Sequence, residues 1–155
     1  MTTGAGQALG PRAAPARILV AVDDSPQSLR AARTAIAIAA VTSARLLVVT
    51  VVQDGVVSRA LARASTEAAG VDRLHTSAEA LLHHVERLAT DDGVHADTVE
   101  LAGEPGLEIV SEARRWAAEL VVVGRCAQEL RSQPVLGRVA QQVVELSEAP
   151  VLVVP

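Results

Sequence analysis

Residues Arg17-Ile18-Leu19-Val20-Ala21-Val22-Asp23-Asp24-Ser25-Pro26 set the architecture of this chain. The apolar run over 17–22 is continuous, as expected of a strand covered on both faces, and it passes straight into a helix start. Ser25 offers a hydroxyl to the orphan amides of the first turn. Pro26 takes the first helical position, where its missing N–H costs nothing. The helix then presents Leu29, Ala32, Ile36 and Ala39 on one stripe, with alanines that allow close approach to a sheet, and ends near 41–43.

The same alternation of strand and helix continues along the chain. Residues 46–52 form a second continuous, β-branched run. A long helical region over 58–90 follows, weakest at Gly70, with Val71, Leu74, Ala78, Leu81, Val85 and Leu88 as its stripe. Residues 94–101 nearly alternate, which suits a strand nearer the sheet edge. Gly103 closes that strand, and Glu104 and Pro105 open a helix expected to turn Leu107, Val110, Ala113 and Ala117 inward. A strand over 120–123 and a polar, irregular stretch over 124–134 come next. Pro134 then signals a last helix with Val135, Val139, Val143 and Leu146 inward, and 150–154 supply a short final strand. This pattern describes an α/β domain, a parallel sheet with helices on both faces.

Composition narrows the function. The chain has 155 residues, a net charge of -4, 50% hydrophobic and 21% charged positions, and 1% aromatic. That fits one domain over 16–155 behind a flexible leader over 1–15. Lysine, tyrosine and phenylalanine are absent, which excludes a phosphate-loop lysine, a Schiff-base lysine and an aromatic platform for single-stranded nucleic acid. The scattered arginines give no basic patch, so no nucleic-acid partner is expected. The lone Cys126 fits a reducing compartment, and the leader lacks the basic start and apolar core of a signal peptide, so cytoplasmic residence is expected. No apolar run reaches the roughly 18 residues of a membrane span, and no membrane partner is expected.

In an open parallel sheet, ligands sit beyond the carboxyl ends of the strands, which directs attention to the loops after Val22, Val52, Leu101 and Val123. Gly124 and Gly137 bracket a stretch where a glycine turn and helix-start amides can hold an anion. Asp23 can accept from a ribose hydroxyl or bind a divalent ion; the plainer alternative is that Asp23 or Asp24 caps the next helix. Adjacent carboxylates after a first strand also suit a phosphate-receiving domain. That would need a further acid after the third strand and a late lysine, and neither is present.

With these residues in place, the chain resembles the universal stress protein family. The likeness rests on Ile18 to Asp23 with Ser25-Pro26, the Gly103-Glu104-Pro105 turn, the run Ala118 to Gly124 followed by Gly137, and the closing Ala149 to Val154. It implies a five-stranded parallel sheet of order 3-2-1-4-5 and, in many members, ATP held across the first and fourth strand ends. The family's nucleotide signature spaces three glycines, the last followed by Ser or Thr. Here Gly124 and Gly137 match, Ala127 replaces the middle glycine and Arg138 the hydroxyl, while Ala140 stands where another hydroxyl is common. Ala127 restricts the backbone and Ala140 offers no donor, but Arg125, Arg131 and Arg138 can neutralise phosphate. Arg138 can equally fill the phosphate space and pair with Glu129. Asp23, the end of the second strand over Thr50 to Val52, with Val52 the site candidate, and Gly103 complete the nucleoside side, and Asp24 adds negative charge beside it.

The resemblance therefore implies a non-enzymatic stress-related regulatory or protective module with weak or lost ATP binding and no required cofactor. The alternative is an ATP-binding switch, with magnesium and slow hydrolysis. A third reading is a structural partner for another, unidentified protein. The family commonly dimerises through its last strand, so a homodimer through Val151–Val154 is expected. Cys126 is read as incidental rather than nucleophilic, and Trp116 as packing. His75, Glu79 and His83 share a helical face, read as solvated rather than metal-binding.

Overall fold

The computed structural model describes residues 14–53, 68–125 and 136–155. Most of the expected leader, the front of the long helical region, and Cys126, Ala127, Glu129, Arg131, Pro134 and Val135 lie outside the described residues, as do the side chains of Val71 and Leu74.

The described elements are β1 (Arg17–Ala21), α1 (Pro26–Thr42), β2 (Arg45–Val52), α2 (Ala68–Asp91), β3 (Ala96–Ala102), α3 (Pro105–Arg115), β4 (Leu120–Gly124), α4 (Arg138–Leu146) and β5 (Val151–Val154). All strand pairs are parallel, in the order β3-β2-β1-β4-β5. β1 is central, with Leu19 facing Leu47 on one side and Val121 on the other. β3, the nearly alternating strand, is an edge.

Because successive strand residues point to opposite faces, β1 contributes to two cores. Ile18, Val20 and Val22 pack with Val48 and Val122 under α1 and α2. Leu19 packs with Leu47, Val49, Val121 and Val123 under α3 and α4. α1 approaches closely because Ala31, Ala32, Ala35 and Ala39 are all but fully buried. Its start follows the sequence signal: Ser25 is extended (φ -75°, ψ 147°) and its side chain accepts from the Ser28 N–H at 3.2 Å. Its end is closed by Ser43 in the left-handed region, whose N–H bonds to Ala39.

Three stripes differ from the sequence expectation. On α2, Leu82 and Ala89 join Ala78 and Val85 in the core, with Leu81 and Leu88 half-buried on the flanks. On α3 the inward residues are Ile109 and Ala113, with Val110 half-buried against the same core; Leu107 is 48% exposed, and Ala117 lies past the helix end. The last helix begins at Arg138, with Gly137 as its cap, and buries Ala140 and Val143 while Val139 and Leu146 stay exposed. Among the described residues no helix is long and apolar enough to cross a membrane.

The α3 correction is measurable. Ile109→Ala is expected to lower unfolding free energy by about 2–5 kcal/mol, and Leu107→Ala to stay within about 0.5 kcal/mol of wild type, both read from urea midpoints.

Candidate functional site

The strand order reverses between β1 and β4: the chain leaves β1 toward β2, and leaves β4 toward β5 on the other side. The loops beyond these two strands therefore diverge, and a cleft opens at their carboxyl ends. Its volume is about 460 Å³, within the range of small-molecule sites. Val49, Val51, Val123 and Ile109 give it an apolar lining. Asp23, Ser25 and Ser28 stand on the α1 side, Gly137, Arg138 and Ala140 on the α4 side, and Gln53 and Arg125 also line it.

Asp23 is exposed and is held by the start of α1. Its Oδ1 accepts from the Ser25 N–H at 2.8 Å, and its own N–H donates to Ser28 Oγ at 3.0 Å. The Ser28 hydroxyl lies 2.7 Å from the Asp23 carbonyl oxygen, to which it donates. Ser25 is the cap of α1; Asp23 braces that cap and is fixed in orientation by it. An ionised carboxylate has about four acceptor sites, so the bond to Ser25 leaves capacity for a ligand hydroxyl.

Gly124 has a packing role of its own. A β-carbon there would lie 3.0 Å from the carbonyl carbon of Gln27 and 3.0 Å from the Ser28 nitrogen, both backbone atoms. A side chain here would press the end of β4 and the first turn of α1 apart by a few tenths of an ångström. Across the cleft, Gly137 donates its N–H to the Arg125 carbonyl at 2.7 Å and precedes the open amides of α4.

Arg138, the first residue of α4, does not plug the cleft. Its side chain is 83% exposed and reaches Glu104 Oε1 at 3.3 Å, at the N-cap of α3. The partner expected for it, Glu129, lies outside the described residues, as does Ala127 of the signature. Ala140 is buried at the cleft wall and presents no hydroxyl.

Asp23, Gly124, Gly137 and Arg138 are thus brought together around one cavity, and two expected residues are not. Val52 is buried and its neighbour Val51 lines the cleft instead. Gly103 sits in the turn into α3 at φ +143°, where its N–H bonds to the Val52 carbonyl at 3.1 Å and a side chain would strike Glu108. Gln53, Ser28 and Ile109 were not singled out from the sequence. Ser28 alone carried a signal, a hydroxyl three positions after the capping serine.

The histidine face does not converge on a centre. His75 Nδ1 pairs with Glu100 on β3, and His83 pairs with Glu86 at 3.3 Å. Among the described residues no three such side chains come together to hold a metal ion. Trp116 lies at the far end of the sheet, packed against the core with the Arg45 guanidinium 5.9 Å from its ring centre.

Comparison with known proteins agrees with this geometry. The family model described as universal stress protein family matches residues 16–155. The chain belongs to the universal stress protein family. It is 33% identical over 138 residues to Universal stress protein MJ0531 of Methanocaldococcus jannaschii, covering 89% of this chain and 81% of that one. It is 28% identical over 144 residues to Universal stress protein YxiE of Bacillus subtilis, covering 89% and 97%. A universal stress protein solved in complex with cAMP superposes with a TM-score of 0.72 at 26% identity, covering 92% of this chain and 98% of that one. Gly124, read in the sequence as part of the family's nucleotide signature, is also favoured by packing in this fold.

Gly124→Ala should therefore destabilise the free protein by about 1–3 kcal/mol, since overpacking against backbone has no side chain to displace. An unchanged urea midpoint would contradict that packing account.

Proposed function

We propose that this protein is a non-enzymatic regulatory or protective module of the stress response, cytoplasmic, whose cleft takes the nucleoside part of an adenine nucleotide and holds a triphosphate weakly. The observation that carries the reading is the apolar cavity at the β1/β4 divergence with the Asp23 carboxylate fixed at its edge. Val51, half-buried with Val49 behind it, offers an apolar surface to a base, and Asp23 an acceptor to a sugar hydroxyl. The structural relative solved with cAMP supports a nucleotide as the ligand class.

The phosphate side offers fewer donors. Ala140 contributes no donor, and Arg138 is engaged by Glu104. A triphosphate would depend on the open amides of α4 and on Arg125 and Arg138, without the hydroxyls the family signature supplies. These two arginines favour the second reading, an ATP-dependent switch with slow hydrolysis. In either case ATP with magnesium would enter as a ligand, with Asp23 on the sugar and the arginines on the phosphates.

We also propose a homodimer through β5. Among the described residues Val151–Val154 is an edge strand, bonded on one side to β4 and half-buried, and an edge of this kind invites pairing with a second copy. α4, which shares a core with Val151 and Val153, leaves Val139, Val144 and Leu146 exposed.

Calorimetric titration of nucleotide-stripped protein with adenosine, AMP, cAMP and ATP, with and without magnesium, tests the ligand reading. Saturable binding is expected for adenosine and AMP, with ATP no tighter than AMP, and a loss of about tenfold or more in Asp23→Ala. ATP binding a hundredfold tighter than adenosine would overturn the weak-triphosphate reading in favour of the switch. Sedimentation checks the assembly: a dimer is expected, and a monomer at high concentration contradicts the edge-strand pairing.

A further inference from the structure

The ion pair at the mouth of the cleft has a consequence for ligand choice. Arg138 starts α4 and Glu104 caps α3, so the 3.3 Å contact joins the starts of two helices whose first turns, at Pro105 and at Val139, both line the cavity. Glu104 makes no side-chain hydrogen bond to its own helix. Its carboxylate is instead turned to the guanidinium across the gap. Arg125 is the other described cation lining the cavity.

We propose that Glu104 and Arg138 together determine how the cleft discriminates charged from uncharged nucleosides, with Glu104 acting as a built-in competitor for the guanidinium that would meet a ligand's phosphate. The proposal rests on the nucleotide reading of the cleft. A carboxylate and a phosphate are recognised by the same planar fork of N–H donors, so a monophosphate arriving at Arg138 displaces Glu104 or shares the fork with it. An uncharged nucleoside has no such contest. Because both side chains are solvated, with exposures of 83% and 39%, the contest is a modest one. Exposed ion pairs of this kind correspond to up to about fivefold in affinity, the equivalent of about 1 kcal/mol. That magnitude suits a tuning device and would not lock the site.

The test is calorimetry at low ionic strength with two ligands, adenosine and AMP, on wild type, Glu104→Gln, Arg138→Gln and the double variant. The readout is the ratio of AMP to adenosine affinity, which cancels general effects on the cleft. Glu104→Gln should raise that ratio up to about fivefold, Arg138→Gln should lower it below wild type, and the double variant should show no gain over Arg138→Gln. A ratio unchanged by Glu104→Gln overturns the proposal. So does a gain that persists without Arg138, because Glu104 would then act through its charge alone. Adenosine and AMP both failing to bind wild type would instead overturn the nucleotide reading itself, and this proposal with it. Circular-dichroism melting of the four proteins confirms that each ratio is measured on folded chain.

Discussion

Two parallel strands cannot be joined by a hairpin, and this constraint shapes the rest of the molecule. Each connection must cross over a face of the sheet, and crossovers of this kind are overwhelmingly right-handed. A chain that builds outward from β1 to β2 and β3 places α1 and α2 on one face. When it returns to lay down β4 and β5 on the other side of β1, α3 and α4 fall on the opposite face. β1 is then buried from both sides, which is why Ile18, Leu19 and Val20 are all inaccessible to solvent. The same reversal parts the loops after β1 and β4 and creates the cleft.

Functional and structural roles overlap at that cleft. Asp23 points as it does because Ser25 and Ser28 hold its side chain and backbone while capping α1. At Gly124 the first turn of α1 comes so close that a β-carbon would meet its backbone at 3.0 Å. The α4 side of the cleft is built more loosely, from helix-start amides, the half-buried Arg125 and the exposed Arg138. The cleft thus joins an edge held by the start of α1 to an adjustable charged mouth, where Glu104 and Arg138 lie far apart in sequence and meet only in the fold.

Much of the fold was legible because its signals are local. The Ser25-Pro26 helix start, the β-branched runs and the near-alternation of β3 each follow from neighbouring residues, and the strand order followed from the family likeness. The helix stripes were less so. On α3, Leu107 and Ile109 are both large and apolar, and only packing against the sheet, where α3 lies over β2 and β3, selects Ile109. On α4, valines lie all around a short helix, and the buried position goes to Val143 with Ala140. At the site, the choice of Val51 over Val52 turns on which face of a doubly covered strand meets the cleft, and a continuous apolar run carries no such information. The Glu104 partner of Arg138 is a long-range contact with no spacing to reveal it.

Backbone amide NMR of labelled protein titrated with AMP tests the central claim most directly, because it locates a ligand without presuming its affinity. The account predicts shifts confined to the carboxyl ends of β1, β2 and β4 and the starts of α1 and α4, at Ser25, Ser28, Val51, Gly124 and Val139, with Arg45 and Trp116 unmoved. Shifts gathered at the opposite end of the sheet, or none at saturating AMP, would contradict it.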